Sequence, residues 1–381
     1  MIGRGVPLQN KKILALFPEL LGVGGVQEAG RLTAAALVEI AQSRSWTTEF
    51  LSLNDPSGQH SIEVSERPIS LQGFGRAKVR FVLAGVQRGG SIGHGADGSI
   101  LAAHPNLALP ASWVRWSCPH LKTVIMSHGI EVWKPMRTLR RRALVGADIL
   151  LAPSTDTANK LVNVQGVASG KVRTLAWPIS PQFLRLADAP ARLTLPAAFP
   201  QGHVILTVGR WAASERYKGA DQLIRSVVQL RAEIPGLHLV AVGGGDDLSR
   251  LRQLAAEMGV ADRTHFLENL SREEIAACYS HAEVFALPST GEGFGLVFLE
   301  AMAFSKPVIG VSCGGTTDVV SDEINGLLVP PGNLQQLVQG LSRLLRDRIL
   351  RERLGHRGAA IVREKYAFDA FRSKLARILE D

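Results

Sequence analysis

Short apolar runs alternate with amphipathic segments along the chain. KILALF (12–17) is apolar on both faces, a glycine-rich turn follows, and a helical period extends over about residues 26–43. Further strand candidates before residue 190 are TTEFLSL, SILAAH, LKTVIMS, DILLAPS and KVRTLAWP. Strands that are apolar on both faces and alternate with helices predict parallel sheets covered on both sides.

The pattern restarts after ARLTLPAAFPQG (191–202), a segment with two prolines and no clear period, which is typical of a linker. HVILTVGR begins the second series, a helix is predicted around 219–233, and the later strands are LHLVAVGG, RTHFLEN, AEVFALP, KPVIGVS and GLLVP. We therefore predict two doubly wound, Rossmann-like α/β domains facing a central cleft. Their predicted ranges are 1–190 and 191–365, and residues 366–381 are expected to form a C-terminal helix that packs back on the first domain.

Composition indicates an ordinary globular protein. The chain has 381 residues, of which 46% are hydrophobic and 20% charged, and its apolar runs are far shorter than a membrane span. The start, MIGRGVPLQNKK, has no apolar segment typical of a signal peptide. Three cysteines lie far apart in the sequence, which suggests reduced thiols and a cytoplasmic location.

The excess positive charge lies entirely in the first half of the chain. Residues 1–190 contain 21 Lys and Arg and 12 Asp and Glu, whereas residues 191–381 contain 22 of each. This asymmetry predicts a face for an anionic partner, although a basic surface that only keeps the domain soluble fits the same counts. Nucleic acid is not expected, because no surface aromatics are interleaved with the basic residues. An anionic membrane surface stays open as a partner, through Arg76, Lys78, Arg80, Arg140, Arg141 and Arg142.

Ligands of doubly wound sheets bind beyond the carboxyl ends of the strands, so the loops after strands are the candidate sites. The first such loop contains Gly22, Gly24 and Gly25. Glycines before a helix can admit a phosphate, but they also fit an ordinary tight turn. A nicotinamide-dependent enzyme remains an alternative here. Its fingerprint is incomplete, because Gln27 replaces the third glycine and the nearest acidic residue is Asp55.

Two loops of the second series carry more chemistry. Arg210 and Lys218 follow HVILTVGR and could converge on a diphosphate, although Arg216 could compete and a solvated basic loop is the alternative. STGEGFG (289–295) leads into a helix predicted from about Phe294 to Ser305, whose first amides could bind phosphate or sugar hydroxyls. Glu300 falls inside this apolar helix, where an unpaired carboxylate is costly. A ribose diol could supply its donors, and so could an internal Lys or Arg.

The stretch GEGFGLVFLEAM, with Glu292 and Glu300 eight residues apart, resembles the two-glutamate signature of the fourth family of retaining glycosyltransferases, which have the GT-B fold. SHGIEVWK, GRWAASERYKGADQLI, VGGGDDLSRLRQLA, FLENLSREEIAACY and KPVIGVSCGGTTDVVSDEINGLLVPPGN also follow the family pattern. The likeness covers nearly all of the second domain but only isolated loops of the first. One departure is that Arg210 and Lys218 are further apart than in most members.

The resemblance implies a role for each matching position. Arg210 and Lys218 would hold the diphosphate, Glu300 the nucleotide ribose, and Glu292 the transferred sugar. His128 would hydrogen-bond the sugar from the first domain. The other donor-binding positions implied by the family are Gly24, Gly25, Asn269, Leu270, Phe294, Gly295 and Leu296. Ser271 and Glu274 also fit a capping box, so Ser271 is expected to be a helix cap.

The resemblance further implies transfer of a hexose of mannose or glucose type, from a UDP or GDP sugar, to a glycan, lipid-linked or small-molecule acceptor. Retention is expected without a covalent intermediate, because no second carboxylate is well placed. Asp246 and Asp247 are a possible metal pair, but a helix cap or a solvent-facing position suits them better. We therefore expect no metal and no cofactor.

Overall fold

The computed structural model describes residues 11–64, 66–92 and 98–380. The described residues up to Pro178 form one compact unit together with those from Phe368 onward, and Ile179–Ala367 form a second. Residues 1–10, which carry most of the segment tested above for a signal peptide, lie outside the described part. No helix within the described ranges has the length and the hydropathy needed to cross a bilayer.

The first unit is built on an eight-stranded sheet in the order β3-β4-β2-β1-β5-β6-β7-β8. Its strands are β1 Lys12–Phe17, β2 Thr47–Ser52, β3 Gly58–Val64, β4 Arg67–Gly73, β5 Gly98–Ala102, β6 Lys122–Met126, β7 Ile149–Ala152 and β8 Val172–Thr174. The helices are α1 Gly25–Arg44, α2 Lys78–Gly90, α3 Ala108–Ser117, α4 Thr138–Val145 and α5 Thr155–Asn163.

The β3–β4 hairpin was not predicted, and it corrects the expectation of a fully parallel sheet. β3 pairs antiparallel with β4, whereas every other neighbouring pair in the sheet is parallel. β3 alternates exposed and half-buried side chains along its length. Because it covers an edge of the sheet, one of its faces stays in water and it lacks the continuous apolar run that identifies the central strands.

The second unit is built on a six-stranded sheet in the order β11-β10-β9-β12-β13-β14, and all its pairs are parallel. Its strands are β9 His203–Val208, β10 Leu237–Val242, β11 Thr264–Leu267, β12 Val284–Ala286, β13 Val308–Val311 and β14 Gly326–Val329. Its helices are α6 Pro181–Asp188, α7 Ala220–Leu230, α8 Leu248–Glu257, α9 Arg272–His281, α10 Leu296–Ala303, α11 Thr316–Val319, α12 Leu334–Arg346 and α13 Arg348–Lys365. Both units are therefore doubly wound, which confirms the predicted fold class.

Helix α6 shows where the chain passes from one unit to the other. Phe183, on α6, packs edge-on against Tyr279 and Phe304 of the second unit. The division at Pro178 therefore lies earlier than the predicted boundary at 190, because α6 buries its aromatic side chain in the second core.

The last helix, α14 Phe368–Glu380, belongs to the first unit. It packs along α1, where Arg372 pairs with Glu39 and Arg44 pairs with Glu380.

Candidate active site

The loop after β9 carries the two predicted phosphate-binding cations. Arg210 follows the strand, and a short 3-10 turn over Ala213–Lys218 leads to Gly219 and α7. Gly219 has φ +77°, and a Cβ there would lie 2.6 Å from the carbonyl oxygen of Pro288. Only glycine therefore lets this loop approach the one that follows β12.

Glu215 joins the two cations. Its Oε1 accepts a hydrogen bond from Arg210, and its Oε2 lies 2.9 Å from the Lys218 ammonium. The longer spacing between Arg210 and Lys218 thus still brings both cations to one carboxylate. Arg216 instead pairs with Asp247 at 2.9 Å, so it does not share this cluster.

The glycine loop after β12 lies against this cationic loop. The Thr290 amide donates to the Tyr217 carbonyl at 2.9 Å. Gly295 has φ +95°, and a Cβ there would lie 2.6 Å from the Phe298 ring. Helix α10 therefore starts at Leu296, slightly later than predicted.

The start of α10 leaves hydrogen-bond donors available. Within the described part of the chain, the amides of Phe294, Gly295 and Leu296 have no hydrogen-bond acceptor. Three such amides at a helix N-terminus favour an anion or an oxygen-rich ligand.

Glu292 has an unusual environment. Burial raises the pKa of its carboxyl, and the nearby charge of Lys218 and a hydrogen bond with the Ser289 side chain partly oppose that rise. Its Oε1 is buried and has no hydrogen-bond partner within the described residues. A buried acceptor without a donor is costly, so this oxygen is suited to receive a ligand hydroxyl.

The glycine pair Gly314–Gly315, after β13, supports the Glu292 loop from behind. The Gly315 amide donates to the Glu292 carbonyl at 2.8 Å. A Cβ on Gly315 would lie 2.3 Å from the Gly293 carbonyl oxygen, so the two backbones approach too closely for any side chain. The sequence showed this pair only as part of the family pattern, without a role.

Glu300 has a partner that the sequence did not indicate. The Tyr279 hydroxyl donates to Glu300 Oε2 at 2.9 Å. Tyr279 is completely buried, and this burial, together with the neighbouring carboxylate, raises the pKa of its phenol. The Glu300 carboxylate, which would be unfavourable in the apolar helix α10 without a donor, is thus hydrogen-bonded to a side chain of the neighbouring helix α9.

The remaining positions of the second unit have definite local roles. Asn269 has φ +57° and turns the chain after β11. Leu270 follows, and then Ser271 and Glu274 form the predicted capping box at the start of α9.

Asp246 and Asp247 accept hydrogen bonds from the protein. Asp246 accepts from the Ala213 amide at 2.7 Å, and Asp247 binds Arg216 and Arg250. Each carboxylate braces the loops after β9 and β10. The described residues contain no cluster of three or more His, Cys, Asp or Glu side chains arranged for a metal ion.

In the first unit, His128 follows β6 and lies within an aromatic stack. Its ring stacks on Trp177 at 5.1 Å and on His104 at 5.4 Å, and its Nε2 lies 2.8 Å from the Ala103 carbonyl oxygen. Burial lowers the pKa of His104 to about 4, and the neighbouring His128 contributes a smaller part of that lowering. His104 is therefore neutral at pH 7. His104 and Trp177 were not predicted, although both follow strands of the sheet.

The first glycine loop is held by Asp55. Gly24 has φ +145° and caps α1, while a Cβ on Gly25 would meet nothing within 4 Å. The Asp55 carboxylate accepts from the amides of Leu20 and Leu21 at 2.8 and 3.1 Å, and Ser52 also donates to it. Asp55, the nearest acidic candidate for a nicotinamide ribose, is therefore buried and occupied with holding this loop.

Comparison with known proteins identifies the family. The family profile described as Glycosyl transferases group 1 matches residues 197–360. A GDP-mannose-dependent alpha-(1-6)-phosphatidylinositol monomannoside mannosyltransferase of Mycobacterium tuberculosis is 30% identical over 271 residues, which cover 68% of this chain and 69% of the relative. The chain belongs to the group 1 glycosyl transferases. This membership confirms the expectation of a glycosyltransferase, while the two-glutamate signature, the roles assigned to its glutamates and retention stay predictions.

A further relative and two solved structures are also similar to this chain. A D-inositol 3-phosphate glycosyltransferase of Mycobacterium marinum is 28% identical over 298 residues, which are 74% of this chain but only 61% of the relative. Two solved structures share the GT-B fold over 97% of the chain. They are the Anabaena protein HepE in complex with UDP, with TM-score 0.72, 19% identity and 99% of its chain covered, and the sucrose-phosphate synthase of Thermosynechococcus elongatus, with TM-score 0.73, 24% identity and 98% covered.

The family profile covers one part of the predicted site. Arg210, Lys218, Asn269, Glu292 and Glu300 lie within residues 197–360. His128, Gly24 and Gly25 lie in the first unit, outside the matched range. The geometry of the second unit brings Arg210, Lys218 and Glu292 into one electrostatic cluster, in which Glu292 raises the pKa of Lys218 against the larger lowering by burial.

Proposed function

We propose that this chain transfers a hexose from a UDP or GDP sugar to a hydroxyl of a glycan, lipid-linked or small-molecule acceptor, with retention at the anomeric carbon. The observation that carries the proposal is the buried, unpartnered Oε1 of Glu292 beside the Arg210–Glu215–Lys218 cluster. An acceptor suited to a sugar hydroxyl beside cations suited to a diphosphate supports a nucleotide-sugar donor. Relatives named for GDP-mannose and a fold neighbour crystallised with UDP-glucose support this donor class.

The chemistry follows from where charge develops. As the glycosidic bond to the diphosphate breaks, negative charge grows on the leaving phosphate and the sugar becomes oxocarbenium-like. Arg210, Lys218 and the free amides at the start of α10 would stabilise that leaving charge. The leaving phosphate then takes the proton of the attacking acceptor hydroxyl on the same face of the sugar, and retention results. Glu300 would accept from the ribose hydroxyls, while Asn269 and Leu270 would flank the base.

The role of the first unit follows from its strand-end loops. His128, whose ring is fixed between His104 and Trp177, would hydrogen-bond the sugar. The backbone at Gly25 would admit a phosphate, because a Cβ there would meet nothing within 4 Å, whereas at Gly24 the side-chain oxygen of Gln27 lies 2.7 Å from the place of a Cβ. No metal is required in this scheme, since the arginine, the lysine and the amides supply the positive charge.

A donor screen tests the proposal. Purified protein is incubated with UDP-glucose, UDP-galactose or GDP-mannose and simple glycoside acceptors, and nucleoside diphosphate release is followed. We expect release with one base, an α-linked product by NMR, and full activity in EDTA. An inverted β-linked product would overturn retention, strong inhibition by EDTA would overturn metal independence, and binding of NAD but of neither UDP nor GDP would overturn the donor class.

A second proposal concerns a surface of the first unit, defined by the outer sides of α2, α3 and α4. Helix α3 contacts both of the other two. None of the three helices contains an acidic residue, and together they contain seven Lys and Arg. Their exposed side chains also include large apolar groups, at Trp113 (49% exposed), Leu83 (63%), Leu139 (65%), Val79 (73%) and Trp116 (84%).

We propose that this α2–α4 surface docks on an anionic membrane. Tryptophan prefers the bilayer interface, and basic residues near an anionic surface each contribute about 1 kcal/mol. Of the six residues predicted for this role, Lys78, Arg80, Arg140, Arg141 and Arg142 lie on α2 and α4, and Arg76 precedes α2. The exposed tryptophans of α3 correct the expectation that no surface aromatics lie among the basic residues, and they supply an apolar component for membrane docking.

Co-sedimentation with vesicles of phosphatidylcholine, with or without phosphatidylglycerol, tests this docking. Binding should require the anionic lipid, weaken at high salt, and fall when Trp116 or the three arginines Arg140, Arg141 and Arg142 become Ser. The matched control replaces Arg225, Arg348 and Arg357, three arginines of the second unit, and should bind as wild type. Equal binding to neutral vesicles, or no binding to either kind, would overturn the proposal.

A further inference from the structure

Glu215 stands between the two cations expected to hold the diphosphate. Its side chain is only 8% exposed, whereas that of Arg210 is 72% exposed and that of Lys218 is 17% exposed. One carboxylate oxygen takes Arg210 and the other takes Lys218, so the residue bridges the two ends of the loop. Its backbone departs from helical geometry within the 3-10 turn, with φ −120° and ψ 26°.

We propose that Glu215 is a positioning residue that fixes Arg210 and Lys218 toward a shared diphosphate site. This inference rests on the proposed function. An arginine exposed to this degree samples many rotamers unless a partner holds it, and ordering such a side chain on binding costs conformational entropy. Glu215 holds the guanidinium before the ligand arrives, which reduces that cost.

Hydrogen-bonding capacity shows that the bridge can persist in the complex. A guanidinium has five N–H donors and an ammonium has three. Glu215 uses one nitrogen of Arg210 and one contact of Lys218, so both cations keep donors for phosphate oxygens. The diphosphate therefore does not have to displace the Glu215 carboxylate. Both can bind Arg210 and Lys218 at the same time, so Glu215 need not compete with the ligand.

Contact with the glycine loop after β12 explains why the Glu215 bridge also sets the position of Lys218. Tyr217, between Glu215 and Lys218, accepts a hydrogen bond from the Thr290 amide of the glycine loop. Fixing the 3-10 turn through Glu215 thus fixes Lys218 relative to Glu292. Loss of the bridge should disturb phosphate binding without removing any group that touches the nucleoside.

The test compares Glu215→Ala with wild type by calorimetric titration of UDP and GDP. For the base that wild type binds, we expect affinity to fall about tenfold in the variant. In an Arg210→Ala background the same substitution should cost less than about threefold, because one of the two cations that Glu215 positions is already gone. Glu215→Gln, which keeps one acceptor oxygen, should lie between wild type and Glu215→Ala.

Glu233→Ala is the matched control, because it also removes an acidic residue paired with an arginine of the second unit, in this case Arg346. It should leave nucleotide affinity unchanged. Unchanged or tighter binding in Glu215→Ala, or an equal loss in both backgrounds, would overturn the positioning role. If wild type binds neither UDP nor GDP, the proposed function itself fails, which is a different result from a wild type that binds and a variant that binds equally well.

Discussion

At the residue level, carboxylates dominate the candidate site. Glu215 bridges two cations, Glu300 accepts from Tyr279, and Glu292 keeps one buried oxygen without a partner. The protein supplies at least one partner to each of the first two. The buried oxygen of Glu292 has none within the described residues, which is the state expected of a group whose partner is a substrate.

Removing either cation should slow turnover. Arg210→Ala and Lys218→Ala should each lower kcat by roughly 10²–10³, as expected when one preorganised donor at a developing charge is lost. Arg216→Ala is the matched control in the same loop, because Arg216 pairs with Asp247 instead. Steady-state kinetics decide the point. Full activity in Arg210→Ala or Lys218→Ala, or an equal loss in Arg216→Ala, would contradict the assignment.

Neutralising Glu292 should separate stability from activity. Burial raises the pKa of this carboxyl above its ordinary value of 4.5, so the folded protein binds its proton more tightly than the unfolded chain does. Wild type therefore loses stability as pH rises through the interval above 4.5, and Glu292→Gln does not. We expect the variant to melt about 2–4 °C higher at pH 7.5, a gain that shrinks as pH approaches 4.5, while sugar transfer falls.

Thermal unfolding at several pH values measures this difference. Asp262→Asn, a change at an exposed carboxylate of the same unit, is the control and should show no such pH-dependent gain. A Glu292→Gln protein that melts below wild type at pH 7.5 would show that the carboxylate stabilises the loop rather than straining it.

At the level of elements, the site depends on how closely loops approach each other. The 3-10 turn after β9, the glycine loop after β12 and the Gly314–Gly315 pair after β13 touch through backbone atoms. These loops follow three adjacent strands of the sheet, and their backbones can approach this closely only where a glycine has no side chain. The Glu292 carboxylate is thereby brought close enough to Lys218 for each charge to affect the pKa of the other group.

Gly295→Ala should disturb the start of α10 specifically. The new Cβ would have both a positive φ and a 2.6 Å contact with the Phe298 ring. Gly332→Ala is the matched control, because φ is +72° there but a Cβ would meet nothing within 4 Å. We expect the control to cost about 1 kcal/mol of unfolding free energy and Gly295→Ala clearly more, together with weaker nucleotide binding. Equal costs and normal binding in both would show that α10 tolerates the shift.

At the level of the whole molecule, each unit has its own doubly wound sheet, and the chain leaves the first unit at Pro178 and rejoins it at Phe368. The returning helix α14 contributes buried side chains to the first unit, among them Phe371 and Leu375. The stability of the first unit therefore depends on residues at the opposite end of the sequence.

Leu375→Ala should destabilise the first unit. The side chain is fully buried, so its truncation should cost about 2–5 kcal/mol. Hydrogen exchange should increase in α1, which α14 contacts, and stay unchanged in α7 of the second unit. The exposed neighbour Lys374→Ala serves as control and should change stability by less than about 0.5 kcal/mol. Faster exchange in α7 alone would contradict the placement of α14.

The sequence by itself determined the doubly wound fold class, most strands and helices, the Ser271 capping box and the loops that carry the candidate site residues, because local periodicity and the strand-end rule need only neighbouring residues. Tertiary structure alone decided the Tyr279 partner of Glu300, the Glu215 bridge, the stack of His104, His128 and Trp177, and the edge hairpin β3–β4. Each of these depends on which side chains and backbones meet after folding. His128 and Trp177 are distant in the chain, so no periodicity of the sequence indicates that they meet. Arg210 and Glu215 are only five residues apart, but whether their side chains meet depends on the path of the turn between them.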